Sequence, residues 1–316
     1  MPASQRIRFG IVNETLTTPS AWRDLVDRAE GGGVDSFVIR DHIGVVPFGA
    51  QLAPFAALAA AAERTTRLRL GTMVLTNDLR HPALVAQEAA TIDWLSGGRF
   101  ELGVGAGWQS EEYSALGVPF GRPGARITRL EESLAILDRL LRGEQVTSAG
   151  QRYQLDHVEL PVHAVQRPRP PLLIAGGGPR MLRLAGRVAD IVGILPAPII
   201  GTGESEDPAD RSPEAFDAKV AIMREAAASR DQDIEISIFA TVIRTNRRRE
   251  STEKLMRERG WTGLEPEDVW AMPSVLIGTA QDIAENVQQL RQRHDISYWI
   301  TSDSVVDDVV AVIAAV

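Results

Sequence analysis

The chain has no cysteine among its 316 residues, which excludes disulfides, thiolate metal sites and cysteine nucleophiles. Lysine is almost as scarce. Of 34 basic residues, two are lysine (Lys219 and Lys254) and the rest are arginine, a bias that with the many Ala, Gly and Pro points to a GC-rich genome. No apolar run reaches 18 residues, so no transmembrane span is expected. The opening "MPASQRIRFG" has no apolar signal-peptide core, and a cytoplasmic location is expected. Neither HExxH, G-x-S-x-G nor a Walker A lysine occurs, and His81, His157, His163 and His294 have no metal-ligand spacing. No metal is expected. A net charge of −8 argues against general nucleic-acid or membrane-surface binding, while leaving room for a local basic pocket.

What is present is alternation. "IRFGIV" (7–12), "DSFVIR" (35–40), "LRLGTMVL" (68–75), "RFELGVGAG" (99–107), "PLLIAGG" (171–177), "DIVGIL" (190–195), "IEISIFATVI" (234–243) and "ISYWIT" (296–301) are short apolar runs, most followed by a helical pattern. Continuous Val/Ile/Leu runs suit parallel strands covered on both faces. Eight such units fit a (β/α)8 barrel, which takes about 250 residues. An open doubly wound sheet is the rival architecture. The excess falls at about 108–121, 143–165 (with the hairpin-like "QVTSAGQRYQL"), 200–213 and 244–274, and residues 1–316 read as one barrel domain with insertions.

In such a barrel the reactive groups sit at the C-terminal strand ends. Asn13 and Glu14 close the first run, Asp41 and His42 the second, Thr76 and Asn77 the third, and "GVGAGWQSEE" the fourth. Each alone has a simpler reading as a helix cap; four converging on one rim suggest a site. "GVGAGW" is not a dinucleotide fingerprint, because Trp108 occupies the position of the last glycine. Gly105 and Gly107 fit instead the close approach of a planar ligand to the backbone. Gly176, Gly177 and Gly178 precede Pro179 at a helix start, where free N–H groups favour an anion, with Arg180 and Arg183 nearby. The alternative there is a plain tight turn. Trp261, Trp270 and Met272 suit either a satellite core or a hydrophobic lid.

"FVIRDHIG", "LGTMVLTNDLRHPALVAQEAATIDWLSGGRFELGVGAGW", "EEYSALGVPF", "LLIAGGGPRMLRLAGRVADIV" and "LIGTAQDIAENV" together resemble the bacterial luciferase-like monooxygenase superfamily, in its branch of deazaflavin (coenzyme F420)-dependent oxidoreductases. The resemblance spans nearly the whole chain. It implies a luciferase-like TIM barrel with F420, or alternatively FMN, over the strand ends and its phosphate at Gly176–Gly178. It implies Asp41 beside the ring, His42 as catalytic acid/base, Thr76 on the ring and a non-prolyl cis bond at Met73–Val74 behind it. Trp108 stands where the sugar-phosphate branch carries its carboxylate proton donor, and the phosphate-binding lysines of that branch have no match. Asn13, Phe48, Trp108, Trp261 and Trp270 are the expected substrate pocket, which suits a fairly hydrophobic small molecule.

Three functions follow: an F420-dependent oxidoreductase, an FMN-dependent monooxygenase using reduced flavin and O2, or a non-catalytic flavin- or F420-binding protein. Retained Asp41 and His42 weigh against the last. A homodimer is expected, with no nucleic-acid or membrane partner.

Overall fold

A computed structural model describes residues 6–16, 18–197, 207–230 and 233–316. Eight parallel strands close on themselves: Arg8–Asn13, Ser36–Ile39, Arg69–Thr72, Phe100–Gly105, Leu172–Gly176, Ile191–Ile194, Glu235–Phe239 and Ile296–Ser302. The first pairs with the eighth and the third with the fourth, so no edge is left, and the closed barrel replaces the open-sheet alternative. The second, fourth and sixth strands are buried along their whole length, as strands covered on both faces must be.

The strand-to-helix loops end where the sequence marks them. Among the described residues seven α-helices begin at proline: Pro19, Pro54, Pro82, Pro123, Pro179, Pro213 and Pro266. Proline needs no N–H partner in a first turn and arrives with helical φ. The helix Ala280–His294 uses a capping box instead, Thr279 and Asp282 exchanging side-chain and backbone bonds.

Two strands differ from expectation. The run 68–75 stops at Thr72 and resumes as Leu75–Thr76, with the expected cis Met73–Val74 bond at the break. The run 234–243 splits after Phe239. Ala240 still donates to Ile300, but Thr241 turns to Ser274, and Thr241–Arg244 pairs with Val275–Gly278, a strand not foreseen. Helices Arg248–Arg259 and Pro266–Ala271 fill the segment between. Residues 145–155 belong to the expected hairpin, Val146–Ala149 against Gln154–Val158. Of the loop expected at 200–213, residues 200–206 lie outside the described residues.

The N-terminal end of the barrel is closed by charge. Glu101 is buried and accepts from Arg8 (2.5 Å) and Arg69, while Arg8 also donates to Glu235 (2.7 Å) and lies 4.2 Å over the Tyr298 ring. Burial pushes the Glu101 carboxyl up, but Arg8 and Arg69 outweigh it and hold it below the ordinary glutamate value. For Glu235, burial dominates and Glu101 adds to it, so its carboxyl is raised despite Arg8. Breaking such a cluster from one side strands a buried charge, and Arg8→Ala is expected to cost about 3–5 kcal/mol in urea unfolding. A depressed carboxyl contributes stability above the unfolded value, about pH 4.3, that is lost as pH falls through the folded one. Glu101→Gln should therefore be less stable at neutral pH and show a flatter loss of stability below about pH 4.

Candidate active site

The opposite end of the barrel opens into a cavity of about 1020 Å³, within the range that holds a cofactor or drug-sized ligand. Its wall comes from the C-terminal ends of the strands: Glu14 and Arg40, His42, Met73–Thr76, Gly105–Trp108, Ala175–Gly178, Leu195, Phe239, Thr301 and Ser302.

On one side His42 stands in an aromatic setting, 5.0 Å from the Phe48 ring and 5.6 Å from Trp108. Behind it, off the cavity wall, the buried Glu112 carboxylate lies 3.2 and 3.3 Å from Nδ1 and also accepts from the backbone of Ile43 (2.7 Å) and Gly44 (2.9 Å). Beyond Phe48, Arg40 is sandwiched at 4.1 Å from that ring and 5.3 Å from Phe239, and is ion-paired to Glu14.

The floor is backbone. A Cβ on Gly105 would come within 2.6 Å of Val74, and one on Gly107, at φ +74°, within 2.0 Å of the Tyr113 hydroxyl and 3.0 Å of Thr76. Packing against Val74 and the buried Tyr113 therefore requires glycine at both positions, and both line the cavity. On the far side Gly178 caps the helix Pro179–Val188 with no side-chain bond to its first N–H groups, leaving a helix dipole aimed at the cavity. Arg180 lines this end but reaches across to the Gly124 carbonyl, Thr128 and Glu131. Arg126 adds a second cation, held by the carbonyls of Gly107 and Gly121.

Among the expected site residues, the structure brings His42, Phe48, Met73, Val74, Thr76, Gly105, Gly107, Trp108, Gly176–Gly178 and Arg180 onto one wall. Four are not on it. Asp41 is buried one layer below, accepting from the Thr76 N–H (2.9 Å) and paired with Arg80. It shapes the wall through Thr76, and its bidentate pairing commits the Arg80 guanidinium to a buried carboxylate. Asn13 is turned away from the barrel interior into the strand–helix layer, donating to Asp303 (2.7 Å) and accepting from Trp22 (3.1 Å); its neighbour Glu14 takes the wall position. Trp261 packs with Leu255, Val269, Met272, Val275 and Ile277 in a satellite core. Trp270 donates to Thr252 (2.8 Å) and lies under Arg248. Both tryptophans therefore hold the insertion to itself rather than forming a lid. Arg183 is exposed and off the wall.

Glu112, Arg40, Arg126 and Phe239 were not picked out from sequence. Glu112 sits in the first turn of Ser110–Ala115, where an acidic residue is ordinarily a dipole complement. The nearest signal was its place one helical turn past the glycine run.

A model of the luciferase-like monooxygenase family matches residues 6–316. An F420-dependent glucose-6-phosphate dehydrogenase of Beutenbergia cavernae is 40% identical over 171 residues, covering 51% of this chain and 48% of its own. The chain thus spans about half the length of the curated relatives it matches. Among solved structures, an F420-dependent secondary alcohol dehydrogenase with an F420–acetone adduct superposes with a TM-score of 0.77 at 18% identity, over 98% of this chain and 99% of that one. A monooxygenase of Streptomyces bottropensis does so with a TM-score of 0.75 at 22% identity, over 98% and 97%. At these identities the structural likeness establishes the fold.

Gly177 serves packing as well as any ligand. An added Cβ would meet the Ala197 carbonyl carbon at 2.6 Å and the Leu195 oxygen at 2.8 Å, both backbone. Gly177→Ala is expected to destabilise by about 1–3 kcal/mol as an overpacked site does, measured by urea unfolding. Gly31→Ala, with nothing within 4 Å, should be neutral or slightly stabilising.

Proposed function

The chain belongs to the luciferase-like monooxygenase family, and on that premise we propose that it is an F420-dependent oxidoreductase acting on a fairly hydrophobic small molecule. The observation that carries this is the shared cavity: an uncapped helix start with Arg180 and Arg126 at one end and His42 between Phe48 and Trp108 at the other. The residues present fit a deazaflavin. Its phosphate would lie at Gly176–Gly178, its ring against the backbone at Met73–Val74, Thr76 and Gly105. Bound there, the deazaflavin supplies hydride transfer chemistry.

The chain's own contribution is orientation and proton handling. Phe48, Trp108 and Phe239 exclude water around the reacting face, and His42 takes the proton of an alcohol being oxidised or returns it to a carbonyl oxygen being reduced. Trp108 cannot carry a proton, which supports an apolar substrate over a sugar phosphate even though a relative is named for glucose 6-phosphate. FMN is the alternative cofactor, favoured by the monooxygenase neighbour. We also propose that residues 1–316 form one domain with insertions, located in the cytoplasm, and a homodimer through the helix Pro82–Leu95, whose Leu84, Trp94 and Leu95 are exposed.

The cofactors differ beyond the phosphate, where F420 carries an anionic tail. The cofactor-free protein should bind F420 more tightly than FMN, and added salt should weaken F420 more, since exposed tail contacts are screened. Tighter FMN binding with little salt dependence would favour the monooxygenase reading. His42→Ala should keep F420 affinity and lower turnover about 10²-fold or more, with 2-propanol and larger secondary alcohols as hydride donors; loss of affinity and fold together would make His42 structural. Trp94→Glu should convert the dimer to a monomer in light scattering, and an unchanged mass would remove that interface.

A further inference from the structure

His42 touches one carboxylate directly, and that carboxylate is not on the cavity wall. The Glu112 side chain is 4% exposed, and His42's is 10%. Glu112 has at least three N–H neighbours: the backbone of Ile43 and Gly44, both on Oε1, and the imidazole Nδ1 within 3.3 Å of both oxygens. An ionised carboxylate only accepts, so the ring nitrogen facing it must be the one that bears hydrogen.

The other charged groups beside His42 are committed elsewhere. Asp41 accepts from Thr76 and pairs with Arg80, while Arg40 pairs with Glu14. Phe48 and Trp108 offer ring faces and edges, not acceptors for Nδ1.

We infer that Glu112 is a positioning residue: it fixes His42 with the proton on Nδ1 and so presents Nε2, as a lone pair, to the cavity. The use made of that lone pair rests on the oxidoreductase function proposed above; the tautomer itself does not. In the oxidation direction Nε2 would accept the substrate hydroxyl proton, and a bound deazaflavin would supply the acceptor for the hydride and its electron pair. The resulting imidazolium would keep Nδ1–H against the Glu112 carboxylate, and reduction would return the same proton from Nε2 to oxygen. A carboxylate orienting a histidine in this way is worth large rate factors where the wrong tautomer forms in its absence.

A plain structural role is the competing account, because Glu112 also ties down residues 43 and 44. Glu112→Gln separates the two. Its amide oxygen can keep the bonds from Ile43 and Gly44, while its amide nitrogen, a donor, faces Nδ1 and forces the proton to Nε2.

The test is 15N NMR of histidine-labelled, cofactor-free protein at pH 9, with hydrogen exchange alongside. Wild type should show Nδ1–H at His42. Glu112→Gln should lose that signal and gain Nε2–H, with the Ile43 and Gly44 amides still protected; Glu112→Ala should lose their protection. Wild type bearing its proton on Nε2, or Glu112→Gln leaving the tautomer unchanged, would overturn the inference. With 2-propanol and F420, the Gln variant should lose turnover about 10²-fold or more with KM within threefold. Failure of wild type to use F420 would count against the proposed reaction, while the tautomer measurement would still decide the role of Glu112.

Discussion

Glu101 is a carboxylate in the second position of a strand buried from end to end, and such a group is tolerable only if cations come to it. Arg8 from the first strand and Arg69 from the third supply them, and Arg8 is shared with Glu235 on the seventh. Four of the eight strands are thereby referenced to one cluster at their N-terminal ends. Strands one, three and four each contribute a charged residue within their first two positions, and strand seven its first. A one-residue slip of any of them would turn its charge to the other face of the sheet and leave its partner buried alone. The cluster is thus well placed to specify register, whatever its net contribution to stability.

With register set at the bottom, the top is free to be irregular. The interior packs Val12, Val38, Leu173, Ile191, Tyr298 and Ile300 between the two ends, so the charge below and the cavity above are separated by an apolar plug. Above that plug the same strands end in glycines and in the interrupted 72–75 segment, and polar groups are satisfied by neighbours rather than by the ladder. Asp41 accepts from Thr76, and Asp303 accepts from Asn13, Glu14 and Thr15. Each of these buried carboxylates fixes the end of a strand next to its own, which is how a rim of short loops acquires a defined shape.

The fold was legible because its signals are local and repeated: apolar runs of strand length, prolines at helix starts, glycines at turns. The cavity wall was legible for the same reason, since strand ends in a barrel converge wherever the strands do, and His42, Trp108 and Gly176–Gly178 followed. What was not legible is the direction of a side chain at a given end. Asn13 and Glu14 are adjacent, and alternation along a strand sends one to Asp303 in the strand–helix layer and the other to the cavity wall. Trp261 and Trp270 carry the composition of a lid, but whether they cover the cavity or their own helices depends on long-range packing with Val275 and Ile277, on a strand whose pairing the sequence did not announce. Arg80 is held by Asp41, 39 residues away in sequence, a pairing that no local pattern announces.

Glu112 illustrates the same limit in the place where it matters most. In sequence it is one of two adjacent glutamates opening a short helix, and nothing local distinguishes it from Glu111, which is exposed. Space distinguishes them: Glu112 is directed under the 42–44 loop, where the Ile43 and Gly44 N–H groups and the His42 ring nitrogen converge on its buried carboxylate. Trp108, where the resemblance implies a proton-donating carboxylate in the sugar-phosphate branch, suggests a lost proton donor only if residues are compared one position at a time. The structure places a carboxylate within reach of the histidine all the same, from behind rather than from the cavity side. That geometry leaves one ring nitrogen toward the cavity and keeps the facing wall aromatic, so in the proposed reaction proton handling and an apolar site stem from the same arrangement.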